Sequence, residues 1–233
     1  DAAKDGADRV QIDYEPLPSV TFTVEAAAAG APRVRDENSS NVCIDAQVGD
    51  AAATEAAFRK AAQVVKVKTW IPRVAGSPME PRAAIGEYDP QTGHYTIYTC
   101  SGSTLRLRRD LSLVLDVPET HVRLVIRDVG GNFGTRGAIF AEQPLVAWAA
   151  RRIGRPVKWT SERSELLLSD YQGRDLAVEA ELALAADGTF LAIRGSNVGN
   201  LGSHTGNFSM VQKGVEIMSS IYHVPVVHFR ARA

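Results

Sequence analysis

Apolar residues recur along this chain with two different periods, which predict where helices and strands alternate. Helical spacing predicts three helices, at residues 50–65, 105–117 and 138–153. Runs of strand type predict strands near residues 67–73, 83–88, 95–99, 122–126 and 156–160. In the C-terminal third, residues 175–184 alternate strictly, 190–198 form a return strand and 226–233 alternate again. The weaker pattern of residues 211–221 is compatible with a helix. The helical positions expected to face the core are Ala57, Phe58, Ala61, Val64, Val65, Leu107, Leu111, Val114, Leu115, Ile139, Phe140, Leu145, Val146, Ala149 and Ile153. On the alternating strand they are Leu176, Val178, Ala180, Leu182 and Leu184.

Turn and cap residues separate these elements. Asp50 is a plausible N-cap, Ser103 or Thr104 is another, and Gly154 is placed to end a helix. The segments 89–93 and 186–188 have the composition of hairpin loops. The pattern predicts an α+β fold with mixed sheets, two main helices packed on them, and long antiparallel strands near the C-terminus.

The chain divides into three parts by composition. Residues 1–20 indicate the end of a helix and a short strand at Val10, Ile12 and Tyr14. Residues 21–48 are small or polar and indicate a linker. Residues 49–233 then form the main domain.

Composition removes several classes of function. The 233 residues carry a net charge of −1, so nothing indicates nucleic acid or an anionic membrane surface. Apolar runs stay well below the roughly 20 residues of a membrane span. Cys43 and Cys100 are expected to be buried free thiols, and Glu162 and Glu165 a solvated helix face. None of the five histidines has the spacing of a zinc or iron site.

A glycine-rich loop follows the strand at residues 122–126 and offers the main candidate site. It contains Gly130, Gly131 and Gly134 around Asn132 and Phe133. Glycine tolerates positive φ and lets a ligand touch the backbone. The spacing matches neither the dinucleotide fingerprint nor the P-loop, so a ligand-binding loop and a merely tight turn both stay open. A second small-residue loop at 100–104 is expected near the first, and a third glycine-rich loop spans 199–206.

The glycine-rich loop, Asp128–Arg136 (DVGGNFGTR), resembles the D-x-G-G-x-F-G-x-K loop of a known family. That family is the large, molybdopterin-binding subunit of xanthine dehydrogenases, aldehyde oxidases and aerobic carbon monoxide dehydrogenases. Further family motifs recur here in the family's order: Tyr14–Pro18 (YEPLP), Pro78–Arg82 (PMEPR) with Glu87–Pro90 (EYDP), and Gly154–Thr160 (GRPVKWT).

The resemblance implies a molybdenum–molybdopterin cofactor in an oxidoreductase acting on an aldehyde, an N-heterocycle or carbon monoxide. Electrons would leave through iron–sulfur and flavin partners, and the carbon monoxide branch adds copper. The resemblance implies the cofactor-binding residues Gly102, Gly130, Gly131, Asn132, Phe133 and Gly134. Gly131 and Gly134 would lend backbone to the cofactor, and Phe133 would wall the substrate pocket. No catalytic residue and no protein metal ligand is assigned in this chain.

Two departures from the family pattern affect the site. Gly102 stands where the family's second loop carries a glutamine whose amide contacts molybdenum oxygen, so a backbone N–H or water would have to replace it. Gly137 stands where purine-oxidising members carry a glutamate, which makes xanthine a poor substrate candidate. Arg136 replaces the family's lysine and keeps only its charge.

The resemblance implies that residues 1–20 are the tail of a preceding small α/β domain and that residues 49–233 are the N-terminal part of the molybdopterin-binding domain, truncated at its C-terminus. We therefore expect the sequence to be an excised fragment, since the family's arginine loop and catalytic glutamate would follow residue 233. Such a fragment alone is expected to be inactive and to hold the cofactor weakly or not at all. The parent protein is expected in the cytoplasm. Two alternatives stay open: a binding or scaffold module that kept the fold and lost the site, and a nucleotide-binding protein whose loop follows a parallel βαβ unit.

Overall fold

A computed structural model describes residues 2–20, 22–204 and 209–233. The chain divides into two compact units, residues 1–70 with 176–233, and residues 71–175. Among the described residues, no helix is long and apolar enough to cross a membrane. Residues 205–208, which include part of the third glycine-rich loop, lie outside the described residues.

The first unit is built on a five-stranded sheet in the order β1-β9-β8-β7-β2. Its strands are β1 (Asp45–Gly49), β2 (Gln63–Ile71), β7 (Leu176–Leu184), β8 (Phe190–Gly199) and β9 (Val226–Arg232). The helices of this unit are α1 (Ala2–Asp8), α2 (Thr23–Ala26), α3 (Ala51–Phe58) and α7 (Ser209–Glu216). Strands β7 and β8 form the antiparallel hairpin predicted around residues 186–188, and β8 pairs with β9 in parallel. One core cluster joins α7 to β9, and another joins Phe58 to Ala183 and Ala192.

Sequence periodicity placed the end of α3 too late. The Asp50 carboxylate does cap the helix, accepting from Ala53 N at 2.9 Å. The helix ends at Phe58, however, and Val64 and Val65 belong to the edge strand β2, where both are exposed. Successive β-branched residues favour a strand, and this preference overrides their helical spacing.

One expectation for the N-terminal segment is also wrong. Residues 10–14 form no strand, and Val10, Ile12 and Tyr14 are exposed. The stretch assigned to a linker contains α2 and most of β1, which pairs antiparallel with β9. Its strand character depends on a partner some 180 residues away, which local composition does not reveal. Cys43 is exposed, contrary to expectation, whereas Cys100 is buried.

On β7, the fully buried residue is not one of the alternating residues that were predicted to face the core. Ala183 is fully buried, whereas Leu182 and Leu184 are only partly buried. The register of β7 against β8 shifts between Ala183 and Leu184. Such an irregularity changes which side chains face the core, so strict alternation is a poor guide there.

The second unit contains a four-stranded sheet in the order β5-β4-β3-β6. Its strands are β3 (Ala83–Asp89), β4 (His94–Thr99), β5 (Val122–Val125) and β6 (Val157–Thr160), and its helices are α4 (Thr104–Leu115), α5 (Glu142–Ile153) and α6 (Arg163–Ser169). Strands β3 and β4 form the predicted hairpin, and α4 with a short 3-10 helix (Glu119–His121) carries the chain from β4 to the parallel strand β5. The core cluster is Tyr95, Ile97, Leu107, Leu111, Val122 and Ala147. Mixed sheets with packed helices confirm the α+β prediction.

The helices of this unit are shorter than their apolar spacing predicts. Helix α5 begins at Glu142 rather than Ala138, and Leu145 and Ile153 are exposed. Its buried face is Gln143, Val146, Ala147 and Ala150. The Gln143 side chain accepts from Phe140 N at 3.0 Å, which holds the preceding residues outside the helix. Gly154 ends α5 in the left-handed conformation, as predicted.

The buried faces and caps of α4 and α6 agree with expectation only in part. Val114 of α4 is exposed, contrary to expectation, because the buried face of that helix is Leu107, Leu111 and Ser112. Ser103 stands at the N-cap position of α4 without a side-chain cap. Glu162 and Glu165 are exposed, as expected, and form a capping box for α6.

Candidate cofactor site

The two small-residue loops lie at the same edge of the four-stranded sheet. One follows β4 and the other follows β5, and the carboxyl ends of parallel neighbours share an edge. Gly102 N donates to Arg136 O at 3.2 Å, and Ser101 Oγ donates to the same oxygen at 3.1 Å. The predicted nearness of the loops is therefore confirmed. The glycine-rich loop also follows a parallel βαβ unit, which was one condition of the nucleotide-binding alternative.

Glu80, a residue that sequence reasoning did not single out, holds the glycine-rich loop in place. Its Oε2 accepts from Gly130 N at 2.7 Å and from Arg136 Nη1 at 3.3 Å. The Arg136 guanidinium also donates to the Glu80 main-chain oxygen, and Glu80 N donates to Gly130 O at 3.2 Å. The Arg136 side chain is only 1% exposed. The arginine noted as a departure thus lies beneath the loop and pairs with Glu80.

The segment that carries Glu80 is itself fixed by two arginines. Arg163 donates to the main-chain oxygens of Pro78 and Met79, both at 2.5 Å. Arg82 is buried among acceptors and stacks 4.0 Å from the Phe140 ring centroid. The acceptors of Arg82 are Glu142, Ser169 and Asp170. The one sequence signal for this support is the charged pair Glu80 and Arg82 inside PMEPR. Their partners lie 50 to 88 residues away along the chain, so spacing alone does not reveal them.

A Cβ at any of three candidate glycines would come within 3 Å of a neighbouring side chain. A Cβ at Gly130 would lie 2.5 Å from Glu80 Cβ, and one at Gly102 would lie 1.8 Å from Asn132 Nδ2. A Cβ at Gly131 would lie 2.8 Å from the Phe133 ring, and φ there is +112°. The departure at Gly102 therefore has a steric reason, because the Asn132 side chain occupies the space beside it.

Gly134 differs from these three glycines. A Cβ at Gly134 would meet no atom within 4 Å, and its φ of +87° still favours glycine. Phe133 also has a positive φ, +51°, and its side chain is among the exposed large hydrophobics at 74%. The loop is thus open to a ligand at Phe133 and Gly134.

Some main-chain N–H groups of this loop are bonded within it, and others have no hydrogen-bond partner among the described residues. Gly134 N donates to Asn132 Oδ1 at 2.7 Å, and Thr135 N donates to Asn132 O at 3.0 Å. Within the described part of the chain, no acceptor is bonded to the N–H groups of Gly131, Asn132 or Phe133. Successive free N–H groups in a loop with left-handed residues form a cradle for oxygen-rich or anionic groups. The donor set therefore fits the oxygen-bearing end of a pterin–metal cofactor.

The second unit also has a cavity, which lies away from the predicted site residues. No group of three His, Cys, Asp or Glu residues suited to a metal ion occurs among the described residues. A cavity of about 540 Å³ lies at the opposite edge of the sheet, where Asp89, His94, Arg123 and Arg155 are among its lining residues. None of the predicted site residues lines it.

The chain is similar to a known domain family and to several known enzymes. The model of the molybdopterin cofactor-binding domain matches residues 34–233. The gamma subunit of the 6-hydroxypseudooxynicotine dehydrogenase complex of Paenarthrobacter nicotinovorans is 34% identical over 205 residues, covering 87% of this chain and 25% of that subunit. The carbon monoxide dehydrogenase large chain of Hydrogenophaga pseudoflava is 29% identical over 234 residues, covering 95% of this chain and 29% of that one.

Among solved structures, quinoline 2-oxidoreductase from Pseudomonas putida 86 superposes with a TM-score of 0.90 at 29% identity, covering 99% of this chain and 30% of that one. The Cu,Mo-containing carbon monoxide dehydrogenase superposes with a TM-score of 0.87 at 26% identity. The chain spans about a quarter to three-tenths of the length of these relatives. Because the family model matches most of the sequence, the chain belongs to the molybdopterin cofactor-binding domain family.

Proposed function

We propose that this chain supplies one wall of the molybdopterin site of a molybdenum hydroxylase. The observation that carries the proposal is a run of N–H groups at Gly131, Asn132 and Phe133 that have no partner among the described residues, beside the open face of Gly134. A metal–pterin cofactor presents oxygen atoms that accept such hydrogen bonds, and rigid main-chain donors bind them without reorganisation. The Glu80–Arg136 pair keeps the donors aligned before any ligand arrives.

The cofactor, when bound, supplies the redox chemistry by which a water-derived oxygen is added to the substrate. The role of this chain's residues is to bind and to orient. The main-chain groups of residues 131–133 donate, Gly134 allows close approach, and the Phe133 ring offers an exposed apolar surface that suits a planar or small apolar substrate. Gly102, on the facing loop, would border the same site.

We infer that the substrate is an aldehyde, an N-heterocycle or carbon monoxide. The relatives described above are named as a 6-hydroxypseudooxynicotine dehydrogenase, a quinoline 2-oxidoreductase and a carbon monoxide dehydrogenase. Gly137 offers no carboxylate for the ring nitrogens of xanthine, and an unmatched polar group costs about 1–3 kcal/mol. Electrons would pass to iron–sulfur and flavin partners, as the family resemblance implies.

One observation favours the scaffold alternative. The spaces beside Gly102, Gly130 and Gly131 are filled by Asn132, Glu80 and Phe133. A loop that serves only packing would need these same glycines. The two functions therefore differ at Gly134, whose open face no packing requirement explains.

The test uses Gly134→Ala in the full-length protein as it is made in the cell. Gly188 provides a matched control, because its φ is +86° against +87° at Gly134 and a Cβ at either position meets nothing within 4 Å. Both alanine variants should lose similar stability from backbone strain, about 1 kcal/mol. Only Gly134→Ala should lose molybdenum and pterin, measured by metal analysis and by pterin fluorescence after oxidation.

Two outcomes would contradict the proposal. Wild-type protein purified from molybdenum-replete cells without pterin would favour the scaffold alternative. Equal cofactor content in the Gly134→Ala and Gly188→Ala variants would show that the open face at Gly134 is not part of the binding site.

A further inference from the structure

The Asn132 carboxamide is held at one end and free at the other. Its Oδ1 accepts from Gly134 N at 2.7 Å, and a main-chain N–H only donates, so the geometry identifies the oxygen. The Nδ2 group therefore points the other way. No acceptor is bonded to Nδ2 among the residues that the structure describes, and the side chain is only partly buried.

The free Nδ2 group lies beside the facing loop, where a side chain at position 102 would begin. The ideal Cβ position of Gly102 is 1.8 Å from Nδ2. The two loops cannot separate easily, because Gly102 N and Ser101 Oγ both donate to Arg136 O. Asparagine at 132 in this conformation thus requires glycine at 102, and the two residues form one interlocked pair.

We propose that the Asn132 carboxamide is a ligand-binding donor, which reaches across the gap between the loops to an oxygen atom of the bound molybdenum cofactor. The inference rests on the proposed function. Gly134 N orients the amide, and the free N–H groups of Gly131, Asn132 and Phe133 lie in the same loop. An oriented, unpaired N–H₂ group next to main-chain donors is suited to an oxygen acceptor that carries negative charge.

A double-mutant cycle tests the interlock without any cofactor. Gly102→Ala should lower the thermal midpoint of the apoprotein, because its Cβ meets the Asn132 amide. In an Asn132→Gly background, the same substitution should cost clearly less, since the amide is gone. Additive effects would overturn the inference, because neighbours that share one space are expected to couple.

Asn132→Asp tests the donor. The carboxylate keeps the shape and still accepts from Gly134 N, but it has no N–H to donate and it repels an oxygen ligand. We expect retention of molybdenum and pterin through gel filtration to fall about tenfold, the effect of one charge-assisted hydrogen bond. Asn38→Asp, at an exposed position in the other compact unit, makes the same charge change and should retain wild-type cofactor content.

A double variant tests whether a carboxamide placed on the facing loop can replace that of Asn132. Gly102→Gln alone should clash with Asn132 and reduce cofactor retention, whereas Gly102→Gln with Asn132→Gly returns a carboxamide to the same gap from the other loop. The double variant should retain several times more cofactor than Asn132→Gly alone. Wild-type retention in Asn132→Asp, or no recovery in the double variant, would overturn the inference while leaving the proposed function standing. A wild-type protein without pterin would overturn both.

Discussion

The two edges of the four-stranded sheet are closed in opposite ways. At the hairpin edge, the turn between β3 and β4 is closed by its own residues: Asp89 accepts from Gln91 N at 2.9 Å and from Thr92 Oγ1 at 2.7 Å, and Gly93 N donates to Asp89 O at 2.8 Å. At the other edge, called the glycine edge below, the glycine-rich loop is held by a hydrogen bond from Gly130 N to the carboxylate of Glu80, 50 residues away.

The difference shows how a loop can be rigid and still have donors to offer. A turn that satisfies its own backbone has few N–H groups left for a ligand. The glycine-rich loop is instead held by a buried arginine and a distant carboxylate. Within the part of the chain that the structure describes, this leaves the N–H groups of Gly131, Asn132 and Phe133 unpaired. A loop held mainly from outside should be sensitive to distant substitutions, whereas the hairpin should respond only to local ones.

The largest effect is expected for Glu80→Ala. The substitution removes the only carboxylate paired with Arg136 among the described residues and leaves a guanidinium that is 1% exposed. Breaking such a buried pair costs about 3–5 kcal/mol in the free energy of unfolding. Urea denaturation measures it, with Glu37→Ala as the control because that side chain is 70% exposed. A loss for Glu80→Ala no larger than that for Glu37→Ala would show that the loop does not depend on this pair.

The hairpin edge was predictable from the sequence and the glycine edge only in part. The turn at 89–93, the Asp50 cap and the helix end at Gly154 each depend on residues within a few positions of one another. Local signals of this kind are complete in the sequence. The end of α3 at Phe58 was missed because helical spacing and β-branching disagree at Val64 and Val65.

At the candidate site, the sequence supplied the loops but not their supports. Gly130, Gly131 and Gly134 were identified from composition and resemblance, and the nearness of Gly102 followed from the element order. The pairing of Glu80 with Arg136 and the fit of Asn132 beside Gly102 are contacts between distant segments. Neither contact has a periodicity or a spacing that a single sequence reveals.

Glycine-to-alanine substitutions compare the two edges directly. Gly131→Ala places a Cβ 3.2 Å from Pro78 Cβ and 2.8 Å from the exposed Phe133 ring, which can shift, at a φ of +112°. Backbone strain with the tight Pro78 contact should therefore cost about 2–3 kcal/mol. Gly93→Ala places a Cβ no closer than 3.7 Å to His121 at a φ of +74°, so only about 1 kcal/mol of backbone strain is expected. Equal midpoints in urea would mean that the glycine edge is no more tightly packed than the hairpin.

The Asp89 carboxylate makes the stability of the hairpin turn depend on pH, and the substitution Asp89→Asn should remove this dependence. Hydrogen bonds from the Thr92 hydroxyl and from Gln91 N lower the pKa of Asp89 below its ordinary value of 3.8. A carboxylate with a lowered folded-state pKa stabilises the fold above its ordinary pKa, and this contribution is lost as the pH falls through the folded value.

Thermal midpoints of wild type and Asp89→Asn measured from pH 7 to pH 2 provide the check. The wild type should be the more stable protein at pH 7, by a small margin because the group is exposed. The gap should close below pH 3.8. A constant gap over the whole range would mean that the carboxylate charge plays no part in closing the turn.

The smallest effect on stability is expected for Phe133→Asn, at an exposed position of the glycine-rich loop. The ring is 74% exposed, so its removal gives up little burial, and asparagine tolerates the φ of +51° better than phenylalanine does. The free energy of unfolding should stay within about 0.5 kcal/mol of wild type. If the ring walls the substrate pocket, kcat/KM of the full-length protein should fall while molybdenum and pterin content stays at the wild-type level. Because little stability is expected to depend on the ring, unchanged kinetics would count against placing the substrate beside Phe133.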